Sequence, residues 1–468
     1  MAPPFRLNML GNAAPTPSPD RISLKQRVLR AGTWSVAGYG LSQAIRFGSN
    51  LLMTRLLVPD MFGVMAIAQM VMVGLTMFSD LGVKQNIIQS KRGNDPAFLN
   101  TAWMAQIFRG MVLWFFALSV GLLVFIADRI GTMPKNSAYA DPRLPYVIAV
   151  LSFTALTDGF QSTKLFEASR NLSLGHVTKN VITAQAAGLL FMLGWVSIDR
   201  SIWALVAGNV CSALVMVLIS HAWLPGVGNR WEWDKSAFRE IVHFGKWIFV
   251  SSILGFLVNS GDRILLGGLI NATVLGVYVI AFAIFNSVEQ LLDKIISDIS
   301  FSALSEVARE RPADLKASYY RFHSVMAPFA YFCAGILMFF GQSLIGLLYD
   351  HRYEQAGWML EVLAVALLTI PFRVASFCLL ALGLPRLFTQ LIAIRVVSLF
   401  LLVPLGFHYF DLPGALWAFV ASYFSGLPAT IYYKIKYGLF DLTKELLLIP
   451  AWLAGVLLAM GLNLAIGH

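Results

Sequence analysis

The feature that most constrains this chain is a succession of apolar stretches, running from 31–54 to 446–466 and separated only by short polar loops. About 20 apolar residues wound as a helix match the roughly 30 Å hydrocarbon core of a bilayer. No water reaches that core to pair backbone amides and carbonyls, so a spanning chain must bond internally, as a helix or a closed barrel. Stretches of this length predict helices. Thirteen are legible, and the expected fold class is an all-α polytopic membrane protein. The composition agrees: 13% of residues are charged, about half the share in soluble domains.

The 35 Lys and Arg residues are distributed unevenly. Most lie in alternate loops and helix ends. The opposite loops hold only Arg55, Arg129, Lys135, Arg143, Arg200, Arg263 and Arg352. The positive-inside bias then places the N-terminus of a multi-pass membrane protein in the cytoplasm. The net charge of +10 is dispersed over these loops with no basic domain, which argues against nucleic acid and for the bilayer as partner. Residues 1–30 read as a proline-rich tail followed by a basic amphipathic lead-in. Cys211, Cys333 and Cys378 lie in apolar runs at unrelated spacings, so neither a disulfide framework nor a metal site is expected.

An internal repeat is visible. Shifting the chain by 213 residues sets Gly32 and Trp34 on Gly245 and Trp247, Gly63 on Gly276, Ala68 on Ala281 and Asp80 on Asp293. Near the end of each half, "IWALVAG" (202–208) matches "LWAFVAS" (416–422) at a shift of 214. Equivalent points are six spans apart, so both halves enter the membrane from the same side, as a parallel repeat does. The expected division is an N-lobe over 31–224, a cytoplasmic linker over 225–240, a C-lobe over 241–437 and an additional membrane helix within 438–468. Two six-helix lobes would then enclose a central cavity, twelve core helices with a thirteenth appended.

Polar residues inside the spans carry the functional signal. Tyr39, Gln43, Arg46 and Asn50 recur every three or four residues of the first span, building one polar stripe. A guanidinium never sheds its charge in a protein, and lipid cannot satisfy it, so the stripe must face protein or a wet cavity. The repeat carries the stripe onto Ser252, Gly255, Asn259, Asp262 and Arg263 of the seventh span. Arg109, Arg373 and Arg395 are three further arginines set within spans, each open to either cavity lining or structural pairing. Pro371, just before Arg373, is expected to kink its helix. Thr369, Arg373 and Ser376 share a face. Guanidinium forks bind phosphate oxygens bidentately, so this pattern suits a large anionic substrate. Asp158, Asp262 and Glu361 stand as carboxylates that either relay ions or pair with the arginines. Asp80 and Asp293, at equivalent helix ends, read as gate or fold support. No loop is large enough for a soluble catalytic domain, and no phosphate loop, nucleophile elbow or metal spacing occurs, so no cofactor is expected.

"TRLLVPDMFGVMAIAQMV" (54–71), "FSDLGVKQNIIQS" (78–90) and "NTAWMAQIFRG" (100–110) resemble the polysaccharide-transport branch of the multidrug/oligosaccharidyl-lipid/polysaccharide exporter superfamily. The resemblance covers about residues 25–437, and the thirteenth span departs from the twelve-helix core. It implies two lobes alternating between inward-open and outward-open states. It also implies a cationic cavity for the pyrophosphate and sugars of a polyprenyl-linked oligosaccharide, with Arg46 in the cavity-facing first helix. The implied energy source is an H+ or Na+ gradient or the membrane potential, and the implied partners in polysaccharide assembly are a polymerase and export proteins. Two other readings compete. A cation-coupled multidrug exporter of the same fold would rely on Asp158 or Glu361. A membrane polymerase or glycosyltransferase would need a longer outer loop than 128–144.

Overall fold

The computed structural model describes residues 24–79, 82–171, 173–296, 301–446 and 449–466. The tail 1–23 and Asp80 lie outside them. Among the described residues, nine helices form the first half: α1 (Leu24–Leu56), α2 (Pro59–Phe78), α3 (Val83–Gln89), α4 (Pro96–Ile130), α5 (Leu144–Leu151), α6 (Phe153–Gly159), α7 (Lys164–Arg170), α8 (Leu174–Val196) and α9 (Trp203–Ala222). The second half holds α10 (Lys235–Leu269), α11 (Ala272–Ile295), α12 (Phe301–Glu310), α13 (Leu315–Leu348), α14 (Ala356–Ala364), α15 (Ile370–Ala381), α16 (Pro385–Phe424) and α17 (Leu427–Lys436). The short α18 (Leu442–Leu446) and the apolar α19 (Ile449–Ile466) follow. Among the described residues there is no strand. Eight helical stretches among the described residues are long and apolar enough to cross a membrane. α1, α8 and α10 are as long but more polar, which follows from the cavities they line.

Local chemistry starts these helices where they start. Proline opens α2 and α4, where its missing N–H costs nothing. Side-chain oxygens of Asp95, Asp234 and Asn271 cap α4, α10 and α11 by accepting the amides of Ala97, Ser236 and Val274 at 3.1, 2.8 and 2.9 Å.

Two expected spans are broken rather than continuous, and at equivalent places. The span at 145–168 divides into α5, α6 and α7, with the first break at Ser152. The span at 356–382 divides at a 3₁₀ stretch, Val365–Thr369. A shift of 213 carries Ser152 onto Val365. Pro371 sits in the first turn of α15, and the carbonyl its missing N–H leaves without a helical donor, that of Leu367, lies within the 3₁₀ stretch, so the distortion expected of it falls just before it. Within α16 the backbone leaves helical geometry at Phe410 and Asp411, between the expected spans 384–408 and 412–436.

The halves meet where α2 crosses α11. The approach is so close that a Cβ on Gly63 would overlap the carbonyl oxygen of Ala272, and one on Gly276 would overlap that of Pro59. Gly63 and Gly276 are repeat equivalents, as are Pro59 and Ala272, so this contact is two-fold symmetric. Only glycine leaves the carbonyls room. Flanking latches obey the same symmetry. Arg352 donates to the carbonyls of Thr54 (3.0 Å) and Leu57 (3.2 Å) at the end of α1. Tyr139 and the Ala138 amide donate to those of Ile264 (2.9 Å) and Ile270 (2.8 Å) at the end of α10. Arg143 ties Asp60 at the start of α2 (2.6 Å) to Asp141 (2.7 Å). The crossing and the latches close one end of the molecule.

At the opposite end, the segment before α10 is tied to the first half. Arg92 bridges Asp95 (2.8 Å) and Asp234 (2.6 Å), and Asn100 donates to Glu232 (2.8 Å) while accepting the amide of Arg230 (3.0 Å). The Arg92 guanidinium first, and Ser236 after it, hold the Asp234 carboxyl well below the usual carboxylate range. A carboxyl depressed in this way stabilises the fold above its unfolded pKa, and the contribution fades only as pH falls through the lower folded value. The clasp is thus complete at neutral pH. Arg92→Ala should raise amide exchange across 229–236 without changing exchange in α13, measured by hydrogen–deuterium exchange.

α19 lies along α13, where Asn463 donates to the carbonyl of Phe339 at 2.8 Å. Buried Lys434 of α17 is ion-paired to Glu445 of α18, which anchors the C-terminal helices to the second half.

Candidate functional site

A cavity of about 910 Å³ lies on the second half, walled by α10, α11, α15, α16 and α17 and closed on one side by α1. It gathers Arg46, Asn259, Asp262, Arg263, Asp293, Arg373 and Arg395 of the residues singled out in the sequence, together with Thr369 and Ser376. Arg46 is exposed to this space and has no ion-pair partner among the described residues. Arg373 is ion-paired to both Glu289 and Asp293 of α11. Tyr423 donates to the other oxygen of Glu289 at 3.4 Å, and its ring lies 3.6 Å beneath the Arg395 guanidinium. Arg263 stacks on Phe282 at 4.7 Å, 3.8 Å from Asp262, and Asp262 accepts the Tyr278 hydroxyl at 2.7 Å. Two buried atoms remain unbonded here, Nε of Arg395 and Oδ1 of Asp293. An anion entering would find guanidinium edges already oriented by aromatic rings and carboxylates.

The rest of the α1 stripe sits at the rim. Tyr39 donates to Gln290 and accepts from Gln43, both at 3.4 Å, and Lys294 lies 5.4 Å over the Tyr39 ring. Asn50 accepts the Tyr349 hydroxyl at 3.2 Å and faces a second cavity of about 530 Å³ on the first half, between α1, α2, α8 and α9. Arg46 lines both cavities.

Two expectations need correction, those for Arg109 and Glu361. Arg109 lies away from the central cavity, in a separate pocket of about 310 Å³ with Asp158. It donates to Ser79 (3.0 Å) and to the carbonyl of Thr76 (2.8 Å), steadying the end of α2. Asp158 accepts from Gln161 at 2.7 Å and interacts electrostatically with Arg109 in this pocket, the pairing alternative of its two readings. Glu361 lies between α14 and α13, accepting the Gln342 amide at 2.9 Å, and does not line the cavity. Asp262 pairs with Arg263 and Tyr278 within the second half.

Glu289, Gln290 and Lys294 escaped the sequence reading. Their signal was present: Asn286, Glu289, Gln290, Asp293 and Lys294 recur at helical spacing along α11 and line one wall of the cavity.

The sequence profile of the family described as polysaccharide biosynthesis protein matches residues 52–357, about two thirds of the chain. The chain belongs to this family. A relative, the lipopolysaccharide biosynthesis protein WzxC of Escherichia coli (strain K12), is 20% identical over 355 residues, 74% of this chain and 68% of its own length. Among solved structures, the lipid II flippase MurJ in an inward closed conformation superposes with a TM-score of 0.69 at 10% identity, over 93% of each chain. An inward-facing multidrug resistance transporter of the MATE family superposes at 0.64 with 14% identity, covering 86% of this chain and 94% of its own. These structures share the fold of this polytopic all-α member of the polysaccharide biosynthesis family.

Proposed function

We propose that the protein is a flippase moving a polyprenyl-pyrophosphate-linked oligosaccharide from the cytoplasmic to the periplasmic leaflet of the inner membrane, for exopolysaccharide, capsule or O-antigen assembly. The observation that carries this reading is the convergence of Arg46, Arg263, Lys294, Arg373 and Arg395 on one cavity in a member of a polysaccharide biosynthesis family. Guanidinium and ammonium groups at membrane depth are costly unless they serve a polar cargo, and a diphosphate is the anion such forks fit. The names of WzxC and MurJ, which concern those proteins, agree with it.

Two lobes, 31–224 and 241–437, would part at the Gly63–Gly276 crossing in one state and close there in the other, with 225–240 as linker and 438–468 as an added helix. The basic loops orient the N-terminus to the cytoplasm, so the latched end faces the periplasm and the state described is closed outward. Glu289 and Asp293 neutralise part of the arginine charge until a diphosphate arrives. Coupling to H+ or Na+ would act through these two carboxylates in place of Asp158 or Glu361. The exported unit then passes to polymerase and export proteins.

Deleting the gene is expected to abolish the surface polysaccharide and to accumulate the lipid-linked unit in the inner leaflet, read by glycan staining and lipid extraction. Full-length polymer in the deletion strain would refute the flippase reading. A multidrug exporter would instead confer resistance to cationic compounds that depends on Glu289 or Asp293 and survives loss of Arg46.

A further inference from the structure

The two cavities stand at repeat-equivalent places but differ in chemistry. Shifted by 213 residues, Ser49, Asn50 and Gln69 of the first-half cavity fall on Asp262, Arg263 and Phe282 of the second-half cavity, and Asn209 falls on Tyr423 at the shift of 214. Where the second half carries charge and aromatic rings, the first half carries neutral hydroxyls and carboxamides. Gln69 is the clearest case. It is exposed in the middle of α2, where Phe62 to Ala68 and Met70 are all buried. A carboxamide at that depth cannot be satisfied by lipid, and this one opens into the cavity. Gln185 and Asn209 stand on the opposite wall, with Met53, Met65 and Met192 supplying apolar surface between the amides. Among the described residues, Arg46 is the one charged side chain lining this cavity, and it lines the cationic cavity as well.

We propose that the first-half cavity is a subsite for uncharged sugar, and that the repeat has diverged to divide the substrate between the lobes. This rests on the flippase reading. The carboxamides of Gln69, Gln185 and Asn209 both donate and accept, as ring hydroxyls require, while the methionine surface takes the C–H faces of the sugar. An anionic group gains less there than in the cationic cavity, since Arg46 is the one cation among its described lining residues. The diphosphate occupies the cationic cavity beside Arg263, Arg373 and Arg395, with Arg46 at the junction holding the phosphate bonded to the sugar. At about 530 Å³ the sugar side falls within the roughly 300–1,000 Å³ of small-molecule sites.

The test compares two ligands on the full-length protein by native mass spectrometry in nanodiscs. One is a polyprenyl diphosphate bearing no sugar; the other is the lipid-linked oligosaccharide recovered from the deletion strain. Gln69→Leu and Asn209→Leu should each weaken the glycosylated lipid about tenfold, the loss of one or two hydrogen bonds, and leave the bare diphosphate within about twofold. Arg263→Gln and Arg395→Gln should weaken both ligands. Gln69 is exposed, and the Asn209 amide bonds only to the Leu205 carbonyl of its own helix, so both amide variants should fold. An equal loss of both ligands in the amide variants, or no loss of the glycosylated one, overturns the division. Failure of the wild-type protein to bind either ligand overturns the flippase reading itself.

Discussion

In a deletion strain, Arg46→Ala expressed at the wild-type level is expected to restore no detectable surface polysaccharide, and Arg46→Lys only part of it. Arg46 is the cation common to both cavities, and it meets no carboxylate among the described residues. Its electrostatic attraction is therefore free for cargo, unlike that of Arg373, which Glu289 and Asp293 share. A charge-assisted hydrogen bond is worth about 1.5–3 kcal/mol, and a bidentate guanidinium contact makes two. Losing it should cost on the order of 100-fold in affinity for the diphosphate. Lysine keeps the charge but not the fork, hence the partial rescue. Because Arg46 pairs with no side chain among the described residues, the thermal unfolding of the variants should be unchanged, separating a loss of cargo from a loss of fold. Full complementation by both variants, with normal expression, would remove Arg46 from the transport path.

Gly63→Ala or Gly276→Ala is expected to disable transport by a different route. At the α2–α11 crossing the added methyl would meet a backbone carbonyl, of Ala272 or Pro59, and neither can swing aside as a side-chain tip does. Overpacking typically costs about 1–3 kcal/mol, and a contact against backbone belongs at the upper end. The strain falls on the state in which this end is closed. Each variant should therefore shift the population toward the open end, the two behaving alike because the contact is symmetric. A cysteine at Ser49, in a background with Cys211, Cys333 and Cys378 replaced, should then react several-fold faster with an impermeant thiol reagent added from the periplasm. Unchanged labelling together with normal export would show that this crossing is not the closure.

Much of this was legible in the residues. The α1 stripe reads out because helical period fixes which side chains share a face, and lipid forbids that face from pointing outward. The 213-residue shift paired Gly63 with Gly276 before their contact was visible, and it placed Asn259 and Arg263 opposite Arg46. Periodicity says nothing about which neighbour a face meets, and there the reading failed. Arg109 has the same credentials as Arg373, a guanidinium in mid-span, yet α4 turns it toward the end of α2. Glu361 resembles a cavity carboxylate, but α14 packs that face on α13. The break at Ser152 occurs within an apolar run with no glycine or proline beside it, so hydropathy had no mark for it, whereas Pro371 marks the 3₁₀ stretch Val365–Thr369.

The cationic cavity also bears on how the cycle is powered. Among the described residues, five cationic and three anionic side chains line it, an excess of two positive charges when empty. A diphosphate bridging lipid and sugar carries about two negative charges, so the loaded carrier would cross the field nearly neutral while the empty one returns charged. With the cell interior negative, each returning positive charge gains about 2.3 kcal/mol per 100 mV of potential. The membrane voltage would thus act on the reset of the carrier, drawing the vacant site back to the cytoplasm, and turnover should slow on depolarisation even when cargo is saturating.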